Sequence, residues 1–227
     1  MGSAIGEILP LAVAVAISPV PIIAMVLMLS SEKARPNGLS FLAGWLIGLF
    51  GLGIIVLLVA DASGASGDDG SGPATWVGWL LLLLGLLAVV FGILQWRGRP
   101  QPGIEAPMPK WMSAIDQFTA VRSLLVGFVF AALNPKNTTL TLAAAASIAA
   151  SGLSTGDSIV VLAVFVVIAT LGLAIPLGIY LAMGSRAAQI LGDLQHWMAT
   201  HNAAIMSVLF VVIGAKLIGS GISTIAS

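Results

Sequence analysis

Six apolar runs alternate with polar stretches along the chain, at about 5–31, 38–60, 75–96, 121–150, 157–182 and 203–224. A helix needs roughly 20 apolar residues to cross the hydrocarbon core of a bilayer, and runs of this length predict transmembrane helices. The runs are continuous and do not alternate residue by residue, which argues against a membrane β-barrel. The first run has no basic flank and no cleavage site followed by a soluble domain, so it is read as a span and not as a signal peptide. The expected class is an all-α, polytopic membrane protein with six transmembrane helices.

The connections add an orientation. Residues 61–73 are rich in Gly, Ser and Asp and hold no Lys or Arg, which predicts a solvated loop. Residues 97–120 are longer and basic. Within them Met108, Trp111, Met112, Ile115 and Phe118 recur at helical spacing, with Lys110, Asp116 and Gln117 opposite. That spacing predicts a short amphipathic helix in the membrane interface, against a plain linker with chance periodicity. Lys33, Arg35, Arg97, Arg99, Lys110, Arg122 and Arg186 all fall in or beside the odd-numbered connections. The other side carries no Lys or Arg, so positive charge marks one side as cytoplasmic and places both termini outside it. The chain divides into residues 1–96, a linker at 97–120, and residues 121–227.

Composition narrows the function classes. Of 227 residues, 59% are hydrophobic and 8% charged, and the mean hydropathy is +1.09. A soluble domain carries about 25% charged residues, so a soluble enzyme is excluded. Nine Lys and Arg balance nine Asp and Glu, which leaves no basic field for nucleic acid. With no cysteine there is no disulfide, thiolate metal site or thiol redox chemistry. His196 and His201 lack partners at metal-ligand spacing. No hydrolase elbow, nucleotide loop or metal motif is present, so the expectation is a non-enzyme without a cofactor or an ATP-driven motor.

Two breaks stand out. Ser18-Pro19-Val20-Pro21 interrupts the first span, and Asn134-Pro135-Lys136-Asn137 interrupts the fourth. Proline removes a backbone donor, clashes with the preceding turn and pushes its predecessor out of helical dihedrals. A weaker echo joins the third members: Val89-Val90-Phe91-Gly92 in span 3 is similar to Val211-Val212-Ile213-Gly214 in span 6. Three spans per half make the second half inverted relative to the first. Paired interrupted helices in inverted repeats mark a transporter with a site near the midplane.

Lys136 is the sharpest chemical signal. A lysine near mid-membrane costs about 2.5–3.5 kcal/mol on insertion scales unless it faces a cavity or a partner. Asn134, Asn137, Thr138, Thr139 and Thr141 surround it, a cluster too polar to face lipid tails. One reading is a site that holds an anionic group on Lys136; the other is repair of the helix break by bonding its freed carbonyls. Lys216, in span 6, is either a second cationic contact or a side chain that snorkels to the interface. Asp and Glu are absent from the middle of every span, which disfavours a cation carrier. Trp76, Trp79, Trp96 and Trp111 read as interfacial anchors, Pro176 as a structural kink, and Gly44, Gly48, Gly51 and Gly53 as a close-packing face, within one chain or in a homodimer.

Six helices in two halves, a proline-broken first helix and Asn134-Pro135-Lys136 resemble the lysine exporter (LysE) superfamily. The Ser18–Pro21 break, the Ser31-Glu32-Lys33-Ala34-Arg35-Pro36 connection and the Gly214-Ala215-Lys216-Leu217-Ile218 ending look most like its GAP group, the peptidoglycolipid- or sulfolipid-addressing proteins of actinobacteria. The likeness covers essentially the whole chain. It implies a bacterial inner-membrane protein that exports a cell-envelope lipid. The first-helix break of amino-acid exporters usually reads like Pro-Gly-Pro; here it reads Pro19-Val20-Pro21, with a bulkier residue at the backbone.

The expected function is export of an anionic or glycosylated lipid by rocking of the two halves around a midplane site. That site comprises Ser18, Pro19, Pro21, Asn134, Pro135, Lys136, Asn137, Thr138 and Lys216, with no metal. A small-solute exporter of the amino-acid type and an accessory subunit that works with lipid-export partner proteins are the alternatives.

Overall fold

The computed structural model describes residues 1–62, 75–99 and 118–226, which are helical apart from short connections. The helices are α1 (Gly2–Ala16), α2 (Pro19–Leu29), α3 (Ala34–Ala62), α4 (Thr75–Arg97), α5 (Ala120–Ala132), α6 (Pro135–Ala149), α7 (Thr155–Met183) and α8 (Ala187–Ala226). A 3-10 turn at Gly184–Arg186 precedes α8. The amphipathic helix expected between Met108 and Phe118 and the loop expected at 61–73 fall, apart from their edges, outside the described residues, as does the Trp111 anchor.

Every apolar run carries a helix or a pair of helices. α3, residues 76–97 of α4, α7 and α8 are each long and apolar enough to cross a membrane, and α1 with α2, bent by 50° at their break, make a fifth candidate if the pair is one span. The run at 121–150 is divided into α5, an apolar helix of 13 residues, and α6, which opens on Lys136-Asn137-Thr138-Thr139 and continues in alanine. α6 is too polar at its start to stand in lipid alone. It is buried along nearly its whole length, against α1, α3 and α4.

The outside of the bundle is apolar. Ile47, Leu58, Leu83, Val167 and Val212 are all more than half exposed. Large exposed apolar surface on every long helix is a liability in water and normal in lipid, so this is a multi-pass membrane protein. Trp79 and Trp96 stand exposed towards the two ends of α4, as interfacial anchors should.

Small residues set the helix pairs. A Cβ on Gly44 would run into the Leu124 carbonyl of α5, and one on Gly127 into the Phe41 carbonyl of α3. Gly48 meets Ala131 and Gly53 meets Leu162, while Gly51 has open space around it. Three of the four glycines expected to pack closely therefore do so. Gly172 of α7 plays the matching part against the Ala16 carbonyl at the end of α1. α4 and α8 run antiparallel along a seam in which Gly78, Gly85 and Gly92 face Gly221, Gly214 and Ser207. Without a hydrophobic drive between helices in lipid, such close approach supplies the association through van der Waals contact.

The end of the chain departs from expectation. The hydropathy pattern predicts a connection up to residue 202, whereas α8 runs unbroken for 40 residues from Ala187. At 1.5 Å per residue that is about 60 Å, twice the hydrocarbon thickness. The stretch 187–202 is too polar to count as a span. It still contains no proline, and its apolar side, including Leu191 and Met198, is buried. Gly184, at φ +58°, provides the turn that lets α8 start back towards the bundle.

Candidate functional site

The two breaks form as the prolines dictate. Ser18 (φ −100°, ψ 102°) and Asn134 (φ −73°, ψ 119°) are extended, and each is followed by a proline at the first position of the next helix. α1 therefore ends at Ala16 and α5 at Ala132. The last carbonyls of each helix lose their intrahelical donors.

The second break repairs itself. The Asn134 side chain accepts from the Lys136 backbone N–H at 3.1 Å. Asn137 Nδ2 donates to the Phe130 carbonyl at 2.8 Å, and Thr138 Oγ1 to the Ala132 carbonyl at 2.8 Å. Two freed carbonyls of α5, those of Phe130 and Ala132, are thus satisfied by Asn137 and Thr138, not by Lys136.

Lys136 crosses to the first break instead. Its Nζ donates to Ser18 Oγ at 2.5 Å and to the Ile17 carbonyl at 3.4 Å. Ser18 Oγ in turn donates to Asn137 Oδ1 at 2.9 Å. An ammonium has three donors, and these contacts use two. Lys136 is 9% exposed, and no acidic side chain bonds it among the described residues. A buried lysine without a counter-ion is costly unless it faces a cavity or a polar partner.

A cavity of 160 Å³ lies at this junction. Ser18, Pro19, Pro21, Asn134 and Lys136 line it, with Val20 between the two prolines. Pro135 starts α6 just after Asn134, and Asn137 and Thr138 lie off the cavity wall, Asn137 bonded to Ser18 and Phe130 and Thr138 to Ala132. Lys216 is not part of the junction. It lies about three turns further along α8 than Met206, and its Nζ donates to the Glu7 carbonyl near the start of α1.

Four wall residues escape the sequence reading: Gln95 at the end of α4, and Asn202, Met206 and Phe210 on α8. Gln95 had a signal of its own, a lone amide in the last turn of an apolar run. Asn202 sat one residue before the predicted span, and only the unexpected length of α8 brings it to the cavity.

A family model described as Sap, sulfolipid-1-addressing protein (SfLAP) matches residues 8–223, nearly the whole chain. The chain belongs to this family. No curated protein and no solved structure matches it. Both breaks, the cavity walls and the α4–α8 seam lie within the residues shared with the SfLAP family.

Proposed function

We propose that this SfLAP member moves an anionic or glycosylated envelope lipid, of which a sulfolipid is the family's namesake, across the inner membrane by alternating access. Lys136 carries the reading: a buried ammonium that reaches from the second break to bond the first, on the wall of a cavity, with no acidic partner among the described residues. A sulfate or carboxylate in that cavity would take up the remaining donor of Lys136. Gln95, Asn134 and Asn202 would offer amide groups to sugar hydroxyls.

Size restricts what enters. A cavity of about 150 Å³ in a protein core holds a benzene molecule, so 160 Å³ takes part of a headgroup. The acyl chains would stay in the bilayer. The same size suits a small anionic solute, which keeps amino-acid-type export as the second reading.

The helix pairs support six crossings in two inverted halves. Exchange of the halves turns α3 on α5 into α7 on α1, α2 on α8 into α6 on α4, and α2 on α7 into α6 on α3, and each of these pairs is present. Four pairs lack a counterpart, α1 on α6, α5 on α6, α7 on α8 and α1 on α8, and the first is the most extensive. α1 packs on α6, while α2 and α5 make at most marginal contact. Half-helices packed on one side of the breaks and parted on the other are what a two-state carrier should show in one of its states. By the charge of the connections, the parted side is cytoplasmic and the termini are outside.

The test is mass spectrometry of lipids that copurify in mild detergent, for wild type and Lys136→Ala. One anionic or glycosylated lipid enriched on wild type and lost from the variant is the expected result. Bulk lipids equal in both would overturn it in favour of the small solute.

A further inference from the structure

A second cavity, of 140 Å³, lies well away from Lys136, where α3 ends, α6 ends and α7 begins. Its walls are Ile54, Leu57 and Leu58 of α3, Ala149 of α6, Leu153 of the α6–α7 turn and Ile159 of α7. Leu58 (61% exposed) and Ile159 (40%) face outward at its mouth, while Ala149 (6%) closes its floor. The mouth therefore opens on the lipid-facing surface of the bundle. Its polar residues, Asp61, Thr155 and Ser158, lie at the last turn of α3 and the first turns of α7. From Asp61 back to Ile54 the apolar wall runs about 10 Å along α3.

We propose that this groove seats one acyl chain of a bilayer phospholipid, its glycerol end at Asp61, Thr155 and Ser158. Three observations carry the assignment. The solvent at the mouth is hydrocarbon, because α3 and α7 are membrane-spanning helices with large exposed apolar side chains on either side. The groove has the polarity order of an amphiphile, with hydroxyls and a carboxylate where the helices end and aliphatic side chains below. Its volume matches the dry cavity of about 150 Å³ known to bind benzene, so it takes several methylene groups. Ala149 makes the room: a larger side chain at this buried position would fill the floor. The site needs the membrane-spanning bundle and does not need Lys136 to hold a headgroup.

Phosphatidylcholine with a diazirine on its acyl chain tests this. The whole protein is reconstituted in vesicles containing the probe, irradiated, and the adducts are mapped by mass spectrometry. Adducts at Leu57 and Leu153 should exceed several-fold those at Ile47, Val167 and Ile175, which are more exposed to lipid but do not line this groove. Leu58→Trp, which crowds the mouth from an exposed position, should bring Leu57 and Leu153 down to the level of the other three. Ala149→Phe should do the same from the floor. Adducts that simply follow exposure, or an excess that Leu58→Trp leaves unchanged, would overturn the proposal. Lys136→Ala should leave the pattern as it is, so loss of headgroup binding and loss of the groove are read separately.

Discussion

At Ser18-Pro19 and at Asn134-Pro135 the backbone does the same thing, with an extended residue, a proline and a new helix. The side chains do not. Asn134 caps its own helix, and Asn137 and Thr138 close the carbonyls of the helix before it. Ser18 makes no cap. Its hydroxyl is committed to Lys136 and Asn137, and the Ile17 carbonyl beside it takes its donor from Lys136 as well. The second break is complete in itself, and the first is completed by the second. Two breaks that share a backbone geometry can therefore divide the work: one supplies the charge and the amides, the other a hydroxyl and a carbonyl for them to meet. The Lys136–Ser18–Asn137 chain of bonds is also a polar link between the two breaks.

The largest effect should follow from removing the charge. Lys136→Met keeps most of the volume and deletes the ammonium. Lipid retention should disappear, while the protein still inserts and melts no lower than wild type. Keeping an unpaired charge buried is costly, and relief of that cost should offset the donor that the Ile17 carbonyl loses. A melting curve in detergent, run beside the lipid assay, checks both halves of the statement. A large loss of stability would mean that Lys136 is chiefly a brace for Ile17.

Asn137→Leu strikes the opposite balance. It leaves the Phe130 carbonyl without its donor and the Ser18 hydroxyl without its acceptor. An orphaned buried polar group costs about 1–3 kcal/mol, so this variant should melt well below wild type and below Lys136→Met. Equal melting of the two variants would erase the distinction between a break that is repaired and a break that is borrowed.

Much of this was legible in the sequence, for physical reasons. Runs of apolar residues report helices directly, and proline reports a break at the residue before it; Ser18 and Asn134 are extended as expected. Lys136 was conspicuous because lysine is expensive in lipid. What a sequence does not carry is distance between remote residues. Nothing in the string says that Lys136 reaches Ser18, 118 positions away, and not its own α5 carbonyls. Lys216 looked like a partner of Lys136 by residue type alone, and the register of α8 places it instead on Glu7. Gln95 and Asn202 face the cavity for the same reason, since the antiparallel register of the α4–α8 seam decides which polar residues look inward.

Ser18→Ala should act more weakly than Asn137→Leu. Lys136 keeps the Ile17 carbonyl, and Asn137 keeps its bond to Phe130. The expected loss is about 1 kcal/mol in melting, the usual net worth of one hydrogen bond, with weakened lipid retention because Nζ loses its closest partner. Ser18→Thr, which restores the hydroxyl, should recover most of both.

Thr138→Val is the smallest of the series and bears on the second break alone. The Thr138 hydroxyl donates to one carbonyl, that of Ala132, within its own broken helix. Polar bonds inside membrane bundles average about 0.6 kcal/mol by double-mutant cycles, because the reference state also finds partners. The valine is nearly isosteric, so melting should fall by about that amount. Combined with Ser18→Ala, the two losses should add, since the residues share no partner. Combined with Asn137→Leu they should not, because both then strip the same α5 terminus of its donors. Additivity in the first pair and coupling in the second would show that the breaks are separate structures joined through Lys136 and Asn137. The reverse pattern would make them one network.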